Sequence, residues 1–143
     1  MTTPLRVVSI RSIANGRYVS AELGYTGDDY GMLRARAYQV GDWEQFDLIA
    51  IDEETFALRS HGNGKYVSAE LGYTDYKFGM PRARADEVHD WEKFHLETSG
   101  SQFALRLPIG ANYVSAELGY TDANYGMLRA RADQASDWEQ FTF

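Results

Sequence analysis

"YVSAELGYTGDDYGMLRARA", residues 18–37, is written almost unchanged twice more, as "YVSAELGYTDYKFGMPRARA" at 66–85 and "YVSAELGYTDANYGMLRARA" at 113–132. Each copy leads into "DWE" and a Phe, so Trp43, Trp91 and Trp138 keep the spacings of 48 and 47 residues shown by Tyr18, Tyr66 and Tyr113. The 143 residues therefore divide into three tandem units, about 1–50, 51–98 and 99–143, with no linker between them. Repeating a fold requires only that the apolar pattern recur. Here polar and aromatic residues recur as well, and we read them as specifying three equivalent surface sites.

Within each unit the pattern is that of β-strands. In "YVSAEL" Val19, Ala21 and Leu23 face one way, and Tyr18, Ser20 and Glu22 the other. "MLRARA" alternates likewise, with Leu33, Ala35 and Ala37 opposite Arg34 and Arg36. "RVVSIRSI" and "FALRS" are short runs ending at the turn formers "ANG" and "GNG", and a fourth strand starts near "WEQFDLIAI". No segment has sustained helical periodicity.

Three units of four strands make about twelve strands in all. A propeller generally needs about four or more blades to close. A solenoid needs dissimilar polar ends, yet the last unit keeps its full pattern to Phe143. The arrangement that closes three such units without sheet edges is the β-trefoil, in which outer strands form a six-stranded barrel and inner pairs form three hairpins capping one end. The expectation is thus an all-β, pseudo-threefold β-trefoil forming one domain over 1–143. Val19, Ala21, Leu33, Ala35 and Phe46, with their counterparts, are its expected core. Gly24 and Gly31, with Gly72, Gly79, Gly119 and Gly126, are expected to supply turn dihedrals.

Composition narrows the function classes. Hydrophobic residues make up 44% and charged residues 24%, as in ordinary globular proteins. The net charge of −7 disfavours a phosphate backbone as partner. There is no cysteine, which excludes disulfides, thiolate metal sites and a Cys nucleophile. "MTTPLRVVSIRSIANG" lacks the pattern of a signal peptide, so the chain is expected to be either cytoplasmic or a module excised from a secreted protein. No apolar run approaches the ~18 residues that span a bilayer. His61, His89 and His95 all lie in the second unit, and no nucleophile motif, phosphate loop or metal-ligand spacing is present. Glycoside hydrolysis requires paired carboxylates about a deep cleft, which three shallow sites do not provide. Neither catalysis nor a cofactor or metal is expected, and the chain is expected to be a monomer.

"NGRYVSAE" and "GNGKYVSAE", followed by "LRARA" and "WEQF" or "WEKF", resemble the fascin-like branch of the β-trefoils. The third unit departs from the pattern, reading "IGANYVSAE" at the turn. The resemblance extends over the whole chain. It implies a carbohydrate-binding module for β-glucans that uses a Trp and a Glu in each unit, here Trp43, Trp91 and Trp138 with either the Glu22 or the Glu44 set. It also implies a competing function, because the name-giving members of the branch bundle actin filaments.

The residues themselves suggest the same chemistry. An indole covers the apolar face of a pyranose, and a carboxylate accepts strong hydrogen bonds from adjacent hydroxyls. Glu22, Tyr25, Thr26, Asp42, Trp43 and Glu44 survive in all three units, while the loops "GDDY", "DYKF" and "DANY" and the first strands diverge. Recent duplication alone would not spare these residues selectively. The candidate ligand-binding set is therefore Trp43, Trp91 and Trp138; Glu22, Glu70 and Glu117; Glu44, Glu92 and Glu139; and Tyr25, Tyr73 and Tyr120. Each has a structural alternative. Glu22 opposite Arg34 reads as a cross-strand ion pair contributing ~0.2–1 kcal/mol, the Glu after each Trp can bond backbone amides, and the Trp can close the side of the barrel.

Overall fold

The computed structural model describes residues 4–143. The first unit contains β1 (Pro4–Val8), β2 (Arg11–Ser12), β3 (Tyr18–Glu22), β4 (Met32–Ala37) and β5 (Phe46–Ala50). The second contains β6 (Phe56–Ser60), β7 (Tyr66–Glu70), β8 (Met80–Ala85) and β9 (His95–Ser99). The third contains β10 (Gln102–Arg106), β11 (Tyr113–Glu117), β12 (Met127–Ala132) and β13 (Phe141–Thr142). The strand expected over "RVVSIRSI" is divided into β1 and β2. Its two halves pair with different neighbours, β1 with β5 and β2 with β13.

These pairings close a barrel. β5 pairs with β6, Phe56 bridges to Phe94 just ahead of β9, β9 pairs with β10, and β10 pairs with β13, which returns to β2. With β1 and β2 taken as one interrupted strand and the Phe56–Phe94 bridge linking β6 to the start of β9, the ring is continuous among the described residues, and closure of this kind is how a sheet avoids free edges. Its interior is the expected one: Val19, Ala21, Leu33, Ala35 and Phe46 are buried, together with Val67, Phe94, Val114, Leu128 and Phe141.

The remaining strands form three hairpins, β3–β4, β7–β8 and β11–β12, each with an irregularity between its Tyr and Val. The hairpins meet at one end of the barrel through a cyclic set of backbone bonds. Ala35 N donates to Gly126 O, Ala83 N to Gly31 O and Ala130 N to Gly79 O, each at 2.8 Å. Beneath them Met32, Met80 and Met127 form a second, fully buried cluster with Tyr25, Tyr73 and Tyr120 packed against it. This is the β-trefoil architecture, an all-β fold.

The close approach of the hairpins explains one repeated glycine. Gly31 has φ +79°, and a Cβ there would lie 2.7 Å from the carbonyl oxygen of Ala83; Gly79 and Gly126 stand in the same relation to Ala130 and Ala35, at 2.6 Å. Only glycine satisfies both constraints. The third unit's departure is visible as well. Ala111, with φ +57°, occupies the left-handed position that Gly16 and Gly64 hold in the other two units.

Candidate functional site

Most of the repeated polar residues turn inward onto the threefold junction. Arg34, on β4 of the first unit, donates from Nε to Tyr125 O (2.9 Å) and from Nη2 to Asp122 O (3.1 Å), both in the hairpin loop of the third unit. Its Nη1 donates to the Tyr25 hydroxyl at 2.7 Å, and that hydroxyl donates to Ala123 O at 2.8 Å. Arg82 makes the same contacts with Tyr30 O, Gly27 O and Tyr73, and Arg129 with Phe78 O, Asp75 O and Tyr120. Each unit thus clamps the loop of another, in a closed cycle. Tyr25, Tyr73 and Tyr120 have their hydroxyls engaged at these joints.

Glu22, Glu70 and Glu117 are each 3% exposed. Their main partner is the second Arg of "RARA". Arg36 reaches Glu22 with two nitrogens, at 2.5 and 2.8 Å, and Arg131 reaches Glu117 at 2.6 and 3.0 Å. Arg84 grips Glu70 in the same bidentate way. Arg34, the partner expected from the strand register, lies farther off at 3.7 Å. The hydrogen bond to Glu22 holds the Arg36 guanidinium above its ordinary pKa against the opposing effect of burial, and Glu44 adds to the attraction. Glu44 is therefore close enough to Arg36 to act on it.

Glu44, Glu92 and Glu139 are also buried, and each closes its own turn. "DWE" is a single 3-10 turn in every unit, at Asp42–Glu44, Asp90–Glu92 and Asp137–Glu139. The Glu Oε1 accepts from the backbone N–H three residues earlier, that of Gly41, His89 or Ser136, at 2.8 Å in all three. This satisfies a donor that the turn would otherwise leave unpaired.

The tryptophans are placed differently. Trp43 is 36% exposed, and Trp91 and Trp138 are partly exposed. Each rests its Cη2 end on a glycine: a methyl group added at Gly24, Gly72 or Gly119 would lie 3.5, 3.4 or 3.6 Å from that atom. These three glycines lack positive φ, so their repetition reflects space for the indole rather than the turn dihedral expected of them. Trp43 has a further neighbour in Gly62 of the second unit, where a Cβ would come within 3.1 Å of its Cδ1. Beside each indole the preceding Asp42, Asp90 or Asp137 is exposed. Shallow depressions lie over His89, Asp90, Trp91 and Glu92, and over Ser136, Asp137, Trp138 and Glu139.

The threefold-repeated groups left at the surface are thus Thr26, Thr74 and Thr121 in the hairpin loops and, on each "DWE" turn, a partly exposed indole with an exposed Asp before it, with a half-exposed Arg in the same unit. The aspartates were legible in "DWE" as the carboxylate on the other side of the indole. What separates them from the glutamates is the turn geometry, which aims residue three inward and leaves residue one in solvent. Among the described residues no cluster of His, Cys, Asp or Glu is arranged to hold a metal ion, and no helix is long and apolar enough to cross a membrane.

No family model and no curated protein sequence matches the chain. Solved structures do resemble it. The designed 3-fold symmetric protein ThreeFoil superposes with a TM-score of 0.79 at 15% identity, covering 95% of this chain and 96% of that one. The BEL beta-trefoil gives 0.74 at 13% identity, covering 99% and 93%. The ricin B-like lectin of Macrolepiota procera, solved with lactose, gives 0.72 at 18% identity, covering 99% and 96%. At these identities the likeness concerns the fold, and that fold is the β-trefoil.

Proposed function

We propose that the protein is a non-catalytic carbohydrate-binding module, a lectin with three shallow sites, one in each unit, centred on Trp43, Trp91 and Trp138. The observation that carries this reading is the threefold recurrence of a partly exposed indole beside an exposed carboxylate. Glu22, Glu44, Tyr25 and their counterparts belong to the framework, whereas each indole, although one end rests on the Gly24 set, leaves part of its surface open beside the exposed Asp. The indole offers a flat apolar face with little rotamer freedom to lose, and Asp42, Asp90 and Asp137 offer acceptors for ring hydroxyls. In this reading the two glutamate sets and the tyrosines position the platform. Glu44 fixes the turn that bears the indole, and Glu22 holds Arg36 of the same unit. That a β-trefoil of similar shape was solved with lactose supports a sugar as the ligand class. The resemblance to the fascin-like branch supports a glucan-type polysaccharide.

A single shallow contact with Kd near ~1 mM corresponds to about −4.1 kcal/mol. Three such contacts on one rigid scaffold raise the apparent affinity for a polymer by ~10²–10⁴, which is the physical use of the repetition. The test is retention on insoluble glucan by variants in which one, two or all three tryptophans are changed to Ala. Stepwise weakening to complete loss, with the thermal transition of the triple variant still cooperative, is the expected result. A folded triple variant that still binds overturns the reading. Co-sedimentation with actin filaments but not with glucan replaces it with protein interaction.

A further inference from the structure

The second unit has more than the depression at Trp91. A second depression, lined by Arg84, Asp86, Glu87, His89 and Glu92, shares His89 and Glu92 with the first. A third, between Ile51, Tyr66, Val88 and Lys93, shares Asp86 and Glu87 with the second. Because neighbouring depressions share lining residues, they lie in a row along the surface of the second unit, a track with Trp91 at one end and Tyr66 at the other. We infer that this track takes a linear, neutral oligosaccharide lengthwise, making the second unit the principal site. The inference rests on the sugar-binding reading of Trp91.

Three properties of the track select that ligand. An aromatic ring lies at each end, so a chain of rings has an apolar surface at more than one position. The floor is polar, with acceptors at Asp86 and Glu87 and donors at Arg84, His89 and Lys93. Sugar hydroxyls both donate and accept, and such a floor serves both roles. The signs are mixed, and Asp86 is already paired with Lys65. The track therefore presents no strong field of one sign to attract a polyuronate or a polycation.

The other units differ where the track runs. In the first, Tyr38 and Gln39 replace Asp86 and Glu87, and the Arg17 guanidinium lies 3.7 Å over the Tyr38 ring. In the third, Gln134 replaces Glu87, and the counterpart of Tyr66, Tyr113, donates its phenolic proton to Glu97 at 2.7 Å.

Calorimetric titration with neutral β-linked gluco-oligosaccharides of increasing length tests the inference. The expected result is one stronger site per chain whose affinity rises about tenfold or more from the monosaccharide to the tetrasaccharide, above two weaker sites whose affinity does not depend on length. Glu87→Ala combined with Lys93→Ala should abolish that rise and leave monosaccharide binding unchanged. Gln134→Ala with Gln140→Ala, the same positions in the third unit, should preserve it. Affinity that is independent of length but still requires Trp91 overturns the inference alone. A length dependence unaffected by the Glu87 and Lys93 substitutions overturns it too. Absence of binding at every length overturns it together with the reading beneath it.

Discussion

Gly31, Gly79 and Gly126 show how a repeated residue can be required for reasons unrelated to any ligand. Each combines a positive φ with a neighbouring carbonyl that leaves no room for a methyl group. Gly27 offers the comparison within the same loop: its φ is +60°, a Cβ there would meet nothing within 4 Å, and Asp75 and Asp122 take its place in the other units. Gly31→Ala is therefore expected to lower unfolding free energy by roughly 2–5 kcal/mol, from dihedral strain plus overpacking. Gly27→Ala should cost only about 1 kcal/mol. Urea midpoints of the two variants check this, and equal losses would show that the backbone approach at Gly31 is relaxed without cost. The same residue-level reasoning separates Gly24 from Gly31. The repeated letter is identical, but one accommodates an indole and the other a carbonyl.

Among the elements, hairpin and loop are joined across units rather than within them. Arg34 belongs to the first hairpin and holds the loop of the third at Asp122 and Tyr125. Charge-assisted bonds to carbonyls contribute about 1.5–3 kcal/mol each when measured by deletion. Arg34→Gln should accordingly speed amide exchange over residues 122–126 and leave the arginine's own loop, 27–31, protected. Faster exchange in the near loop instead would mean that the clamp is intramolecular to the unit. The barrel strands have a counterpart in Asp47 on β5, which faces Arg59 on β6. Burial raises the Asp47 pKa, but hydrogen bonds from Arg59 and His61 outweigh it and hold the carboxyl below its usual range. A carboxylate with a depressed folded pKa contributes stability that is complete above its unfolded value, about 3.9, and is lost as pH falls through the folded one. Asp47→Asn should thus be less stable than the parent at pH 6, with the difference shrinking below about pH 4. A difference independent of pH would assign the effect to packing.

For the whole molecule, threefold repetition serves two ends at once: a cyclic interlock at the axis and a set of indoles around it. The barrel was legible in the sequence, because Val19, Ala21, Leu33 and Ala35 alternate with period two and the 48- and 47-residue spacings admit few closed arrangements. The interlock was not. Met32 lies on the arginine side of its strand, and its burial at the axis depends on two other hairpins far away in sequence. For the same reason Glu22 could be matched with an arginine but not with the correct one, since Arg34 is engaged by the neighbouring loop and Arg36 is left to make the pair. The glutamate of "DWE" read equally well as ligand contact or turn closure, and only the turn's geometry decides its direction. Titrating the isotope-labelled protein with a soluble gluco-oligosaccharide, and following the indole N–H signals of Trp43, Trp91 and Trp138, tests the central claim most directly. All three signals should shift with the sugar while the amides of the interlocked loops stay in place; three indole signals unmoved at saturating sugar would contradict it.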